Sequence, residues 1–141
     1  MTGTTGGLVY SKLPQLAKAF PLEVALIVME TAQAVAAEAQ ASMRLPKTGV
    51  FYRVSRTGAK HQASAPGEAP AIDTGALVNS IGVRRVNKTH AIVYTNTEYA
   101  AALEFGRRDG KMAARPFLRP AIRKVRPMWL ARLKALGSRV V

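Results

Sequence analysis

Asp73-Thr74-Gly75-Ala76 is the short run in this sequence whose residue types could do covalent chemistry. Two such loops, one from each member of a dimer, bring two carboxylates together to share one proton, and the pair activates water against a peptide bond. That chemistry needs the loop held between hydrophobic strands of a closed β fold. Here Pro66, Gly67 and Pro70 precede it, a helix-like segment follows, and the Ile81-Gly82 pair arrives too soon to serve as the later glycine motif. A helix start explains the same residues more simply: Asp73 or Thr74 can accept from the unpaired amides of the first turn of a short helix reaching about Ser80. No catalytic residue is therefore expected.

Other chemistry-bearing residues are sparse. His61 and His90 are the only histidines, without neighbouring carboxylates, and there is no cysteine, so neither a metal site nor a disulfide framework is expected. Gly3-Thr4-Thr5-Gly6-Gly7 lacks the lysine and preceding strand of a phosphate-binding loop. Arg84 and Arg85 are adjacent on a strand and must point to opposite faces. No cofactor is expected.

Charge says more. The formal net charge is +13, and residues 107–141 hold eleven Lys or Arg against Asp109 alone, a net of +10 that leaves +3 for the rest. So one-ended a field suits an anionic partner, nucleic acid or an acidic protein surface, with Arg119, Arg123, Lys124 and Arg126 as candidate contacts. The alternative is a solvated face that keeps the chain soluble. These charges are expected to be spread over a loop and around an interrupted helix. Only Trp129 is aromatic in that region's helix, and its spacing assigns it to the core, which weakens a stacking mode of nucleic-acid binding. The most hydrophobic run, Leu22–Met29, contains Glu23 and falls short of the roughly 20 residues a membrane span needs. No signal peptide is read, and cytoplasm is the default compartment.

The elements that must position these residues make one α+β domain over 1–141. Residues 1–10 read as a flexible arm. Pro21 suits a first helical turn, and from Leu22 to Arg44 no Gly or Pro intervenes. Ala25, Val28, Ala32, Val35, Ala39 and Met43 share one side of that helix, with Glu23, Glu30, Gln33, Gln40 and Arg44 opposite. Val50–Val54 reads as a strand, and Ser55–Ala71 as a long mobile loop. Ile81–Val86 and Ala91–Thr95 form a hairpin about Asn87-Lys88-Thr89-His90. Thr97 can cap a helix from Glu98 to Phe105, ended by Gly106. After a basic loop Pro120 opens the last helix, with Ile122, Val125, Trp129, Leu133 and Leu136 on one face and a kink or break expected at Pro127. A small antiparallel sheet packed against a long N-terminal helix and a C-terminal helix follows.

Three ordered stretches carry a resemblance. They are Asp73–Ile81, with Thr74, Gly75, Leu77, Ser80 and Ile81; Tyr99–Gly106, with Leu103, Glu104 and Phe105; and Ala114–Ile122, with Arg115, Pro116, Phe117, Leu118 and Pro120. Together with Ser64–Glu68 they resemble the tail-completion, or head-to-tail joining, proteins of long-tailed bacteriophages over about residues 45–125. Arg107 departs from the pattern, which often has Thr there. The resemblance implies a structural virion protein without catalysis and a homo-oligomeric ring, expected as a hexamer, at the head-tail junction of a virion assembled in the host cytoplasm. Its partners would be neighbouring connector or stopper, tail terminator or tail tube proteins, with non-specific contact to passing DNA and none to membrane. A basic nucleic-acid-binding module is the alternative. On the residues themselves, Tyr99 and Leu103 can share a buried face with Phe117 and Leu118 behind them, and Arg115 or Arg119 can partner Glu104.

Overall fold

The structure, a computed structural model, describes residues 8, 10–53 and 58–139. The expected arm over 1–10 lies mostly outside the described residues, as do Gly3–Gly7, Val54 and the first residues of the expected loop.

Helix α1 (Leu13–Ala19) leads directly into α2 (Pro21–Arg44). Pro21 opens α2 as expected, Glu23 and Arg44 complement its dipole, and the chain leaves in extended conformation at Leu45, where Pro46 disfavours further helix. α1 was not foreseen, because Leu13-Pro14-Gln15-Leu16-Ala17-Lys18-Ala19 is too short to show a period.

Strands β1 (Phe51–Arg53) and β2 (Lys60–Gln62) pair antiparallel, Phe51 opposite Gln62 and Tyr52 opposite His61. Helix α3 (Ala76–Ser80) precedes the second hairpin, β3 (Gly82–Asn87) and β4 (His90–Tyr94), in which Val83 faces Val93 and a register shift sits between Arg85 and Asn87. Helix α4 (Ala100–Phe105) and the basic loop lead to α5 (Leu118–Gly137). The expected α+β class, with antiparallel strands and two long helices, is what the chain adopts, though the strands divide into two sheets, of which β3–β4 packs on α2.

α2 and α5 run antiparallel, and their contact is the core. The C-terminal half of α2 (Val35, Ala36, Ala39, Met43) meets α3 and the start of α5, gathering Leu77, Val78, Ile81, Ala100, Phe117, Ala121 and Val125. The N-terminal half (Val24, Ile27, Val28) meets the end of α5 and α1, gathering Trp129, Leu133, Leu136 and Leu16. Alanines on α2 let α5 approach closely, and β3 and β4 lie on α2 as well.

Several expectations are corrected here. The stretch 55–71, read as loop, contains β2 and a hydrogen-bonded turn in which the Glu68 amide donates to Ala65 O at 3.0 Å. Asp73 does not cap α3, and the cap position is Gly75 at φ 84°, a left-handed conformation cheap for glycine; Thr74 stands one residue before it, and its Oγ1 accepts from the first-turn amide of Ala76 at 3.3 Å, the acceptor role expected of Asp73 or Thr74. Thr97 does not cap α4, which begins later, after Tyr99; Thr97 supplies only its carbonyl to the Ala100 amide. α5 begins at Leu118, two residues before Pro120, for a reason given below. It also runs unbroken through Pro127, because that proline is exposed, where water can satisfy the carbonyl it leaves unpaired, while Val125 and Trp129 on either side are buried. Ile122 is only half-buried, and Ala121 takes its place in the core.

Candidate functional site

The motif residues converge on the junction between α4 and α5, and Glu104 is its centre. α4 is a single short turn of Ala100-Ala101-Ala102-Leu103-Glu104-Phe105, ended by Gly106 at φ 78°. A side chain at Gly106 would be strained, and its Cβ would sit 3.0 Å from the Ala114 amide and the Met112 carbonyl, so the glycine lets the basic loop fold back over the end of α4. The Arg107 amide then donates to Met112 O at 2.9 Å, and the Arg115 amide to Leu103 O at 2.6 Å.

This return brings the first residues of α5 against Glu104, which is 4% exposed. Its Oε2 accepts from the amides of Phe117 at 2.8 Å and Leu118 at 3.0 Å, and its Oε1 from the amide of Arg119 at 2.9 Å. Those amides have no partner inside α5, so a carboxylate from another helix takes the place of a cap from the preceding residue. This is why α5 starts at Leu118 without a capping side chain of its own. The Arg119 guanidinium completes the clasp, with Nε 3.1 Å from Oε1, Nη2 donating to Glu104 O at 2.6 Å, and the group lying 4.9 Å over the Phe105 ring. Burial pushes the Glu104 carboxyl up, but the amides of Phe117, Leu118 and Arg119 and the Arg119 side chain outweigh it and leave the acid below its ordinary value.

Arg115 has another task. Its Nε and Nη2 both donate to Ser64 O at 3.2 Å, and the Gly67 amide donates to Ala114 O at 3.0 Å, so the Ser64–Glu68 turn is bound to the same junction. Glu68 fastens that turn to the segment after α2. It accepts from the Thr48 hydroxyl and amide and from the Ala65 amide, and these bonds, the hydroxyl's first, hold its carboxyl below the usual range.

The Asp73–Ile81 stretch joins through the core. Leu77 and Ile81 are buried beside Phe117, Ser80 Oγ bonds to Leu77 O and Thr95 Oγ1, and Gln40 Nε2 donates to Val78 O at 3.0 Å. Leu103 and Leu118 pack on the edge of the same cluster, and Pro116 is half-buried. Thr74, Phe105 and Pro120 are exposed. Tyr99 is 48% exposed, against the expectation of a buried face shared with Leu103; it lines a shallow depression with Met43, Ile72, Asp73 and Thr74. Of the two expected partners for Glu104, Arg119 is the one engaged. The three amides were missed, because the contact spans 13 to 15 residues and no local pattern marks it.

The candidate anionic contacts divide. Arg119 is held by Glu104, and Lys124 Nζ lies 3.0 Å from Glu38. Arg123 and Arg126 are exposed and make no ion pair among the described residues. Because α5 is unbroken, Arg119, Arg123 and Arg126 stand at i, i+4 and i+7 on one face, while Lys124 and Arg132 lie off that face and pair with Glu38 and Glu30 of α2. Arg107, where the resemblance leads one to expect Thr, pairs with Asp109 at 2.7 Å. Among the described residues no helix is long and apolar enough to cross a membrane, and no group of three His, Asp or Glu could hold a metal.

No curated protein and no solved structure matches the chain at a significant level. A family model, described as "Bacteriophage HK97-gp10, putative tail-component", matches residues 9–106. The match takes in the stretches around Thr74 and Glu104 and ends before the stretch that Glu104 caps. Since it spans well over half of the 141 residues, the chain belongs to the HK97-gp10-like family of bacteriophage tail components.

Proposed function

We infer that this tail component is a non-catalytic structural subunit that joins or completes the tail at the head-tail junction, working as a ring of identical copies, six in the expected arrangement. The observation that carries this reading is the use made of the motif residues. Glu104, Arg115, Arg119 and Glu68 are bonded to backbone amides and carbonyls of other segments, which is the work of a rigid building block. The polar groups most often used in catalysis, Asp73, His61 and His90, lie apart in the sequence, and Asp73 and His90 are exposed. Neighbouring connector, stopper, terminator or tube proteins are the partners this reading implies, in a virion assembled in the host cytoplasm. Electron microscopy of particles lacking the protein tests it: heads and tails that accumulate unjoined, and join when the purified chain is added, are expected. Normal joined particles without it would refute the assignment.

A basic nucleic-acid-binding module is favoured by one observation, the Arg119, Arg123 and Arg126 face of α5. On the structural reading, binding to DNA is weak, indifferent to sequence and steeply reduced by salt, as counterion release requires. Filter binding across unrelated duplexes at several salt concentrations separates the two. A preference of about a hundredfold for one sequence, roughly 2.7 kcal/mol, would favour the module.

A further inference from the structure

α2 carries two leucines that its buried face does not use. Leu22 and Leu26 lie four residues apart, hence on one side of the helix, and are 75% and 55% exposed. Glu23 stands between them in sequence, in the first turn, and makes no ion pair among the described residues.

At the other end of α2 the chain turns through Pro46 into the β1–β2 hairpin. Its strands pair chiefly with each other and leave Phe51 53% and Tyr52 44% exposed. The described charges of its strands are all positive: Lys60 lies 4.5 Å over the Phe51 ring, and Arg53 donates to Gly58 O, neither meeting a carboxylate. A 24-residue helix is about 36 Å long, so one copy cannot fold its own hairpin back onto Leu22 and Leu26.

Resting on the ring reading above, we propose that the β1–β2 hairpin of one copy seats on the Leu22 and Leu26 face of the next copy's α2, with Phe51 against the leucines and Lys60 or Arg53 against Glu23. Charge favours a second copy in this geometry. A chain of net charge +13 repels itself unless an interface sets acid against base, and here an unpaired acid at one end answers unpaired bases at the other. The two surfaces differ, so the contact is head-to-tail, the type that closes into a ring when its rotation allows.

The test uses full-length chains carrying Phe51→Asp or Leu26→Asp, both at exposed positions, with circular dichroism to confirm wild-type folding and sedimentation velocity to read assembly. Each variant alone should self-associate at least tenfold more weakly than wild type. An equimolar mixture should form a dimer and stop there, since the Leu26→Asp chain brings an intact hairpin and the Phe51→Asp chain an intact helix face. Glu23→Lys should weaken assembly as well, and Lys60→Glu in the same chain should restore it. Either apolar variant assembling like wild type, or a mixture that stays monomeric, overturns this docking and leaves the ring reading standing; that result would assign the hairpin to a different partner. A wild-type chain that remains monomeric at every concentration overturns both.

Discussion

Glu104 concentrates more consequence than any other residue in the chain. Replacing it with Ala removes the acceptor for three amides, while the half-exposed Arg119 guanidinium keeps its bond to the residue 104 carbonyl and meets water; the unsatisfied amides are expected to cost about 3 kcal/mol or more together. Glu104→Gln keeps an acceptor and should cost less, about 1 to 3 kcal/mol, and urea unfolding at neutral pH should rank the two that way. The sign of the pH effect follows from the lowered carboxyl: its contribution is complete above the unfolded value near 4.3 and is lost as pH falls through the lower folded value. Stability of wild type should therefore fall more steeply below about pH 4 than that of Glu104→Gln. A parallel pH dependence in both would show that the carboxylate is not the group responsible. Asp73, by contrast, is exposed and offers α3 no cap, so Asp73→Asn should leave folding and particle assembly unchanged; any peptidase activity abolished by that variant would contradict the structural reading.

At the scale of elements, legibility followed locality. α2 was readable because a Pro start and an uninterrupted period announce it, and the β3–β4 hairpin because two β-rich runs flank a turn-prone Asn87, whose Oδ1 accepts from the Thr89 amide at 2.9 Å. β2 was not, since Lys60-His61-Gln62 carries no strand signal and pairs only because β1 lies beside it. The start of α5 was misplaced for a related reason: its cap comes from a different helix. Pro127 shows tertiary packing overriding a local rule. Pro127→Ala should restore the missing amide bond and raise the melting temperature, whereas Leu133→Ala, at a site with no exposure, should lower stability by about 2 to 5 kcal/mol. A Pro127→Ala variant that melts earlier would mean that the proline fits a bend the core requires.

For the molecule as a whole, the first and second halves of the sequence are held together at both ends of the α2–α5 pair, by apolar clusters and by the ion pairs of Glu38 with Lys124 and Glu30 with Arg132. The segment 55–71 was expected to be a long mobile loop; its part from Ser64 to Glu68 is bonded to Arg115, Ala114 and Thr48, whereas among the described residues β2 pairs with β1 alone. Exchange of backbone protons should split at that boundary, slow in Ser64–Glu68 and fast in β2 of the free chain, with β2 slowing on assembly. Uniformly slow exchange through β2 in a monomer would contradict this. The same measurement reaches the clasp. The opening amides of a helix usually trade their protons for deuterium fastest, because nothing inside the helix holds them. In α5 the amides of Phe117, Leu118 and Arg119 answer to a carboxylate thirteen to fifteen residues earlier, so their deuterium uptake should be as slow as that of the helix centre and should rise together in Glu104→Ala. The two segments would thus open as one cooperative unit, and the last helix would have no independent beginning.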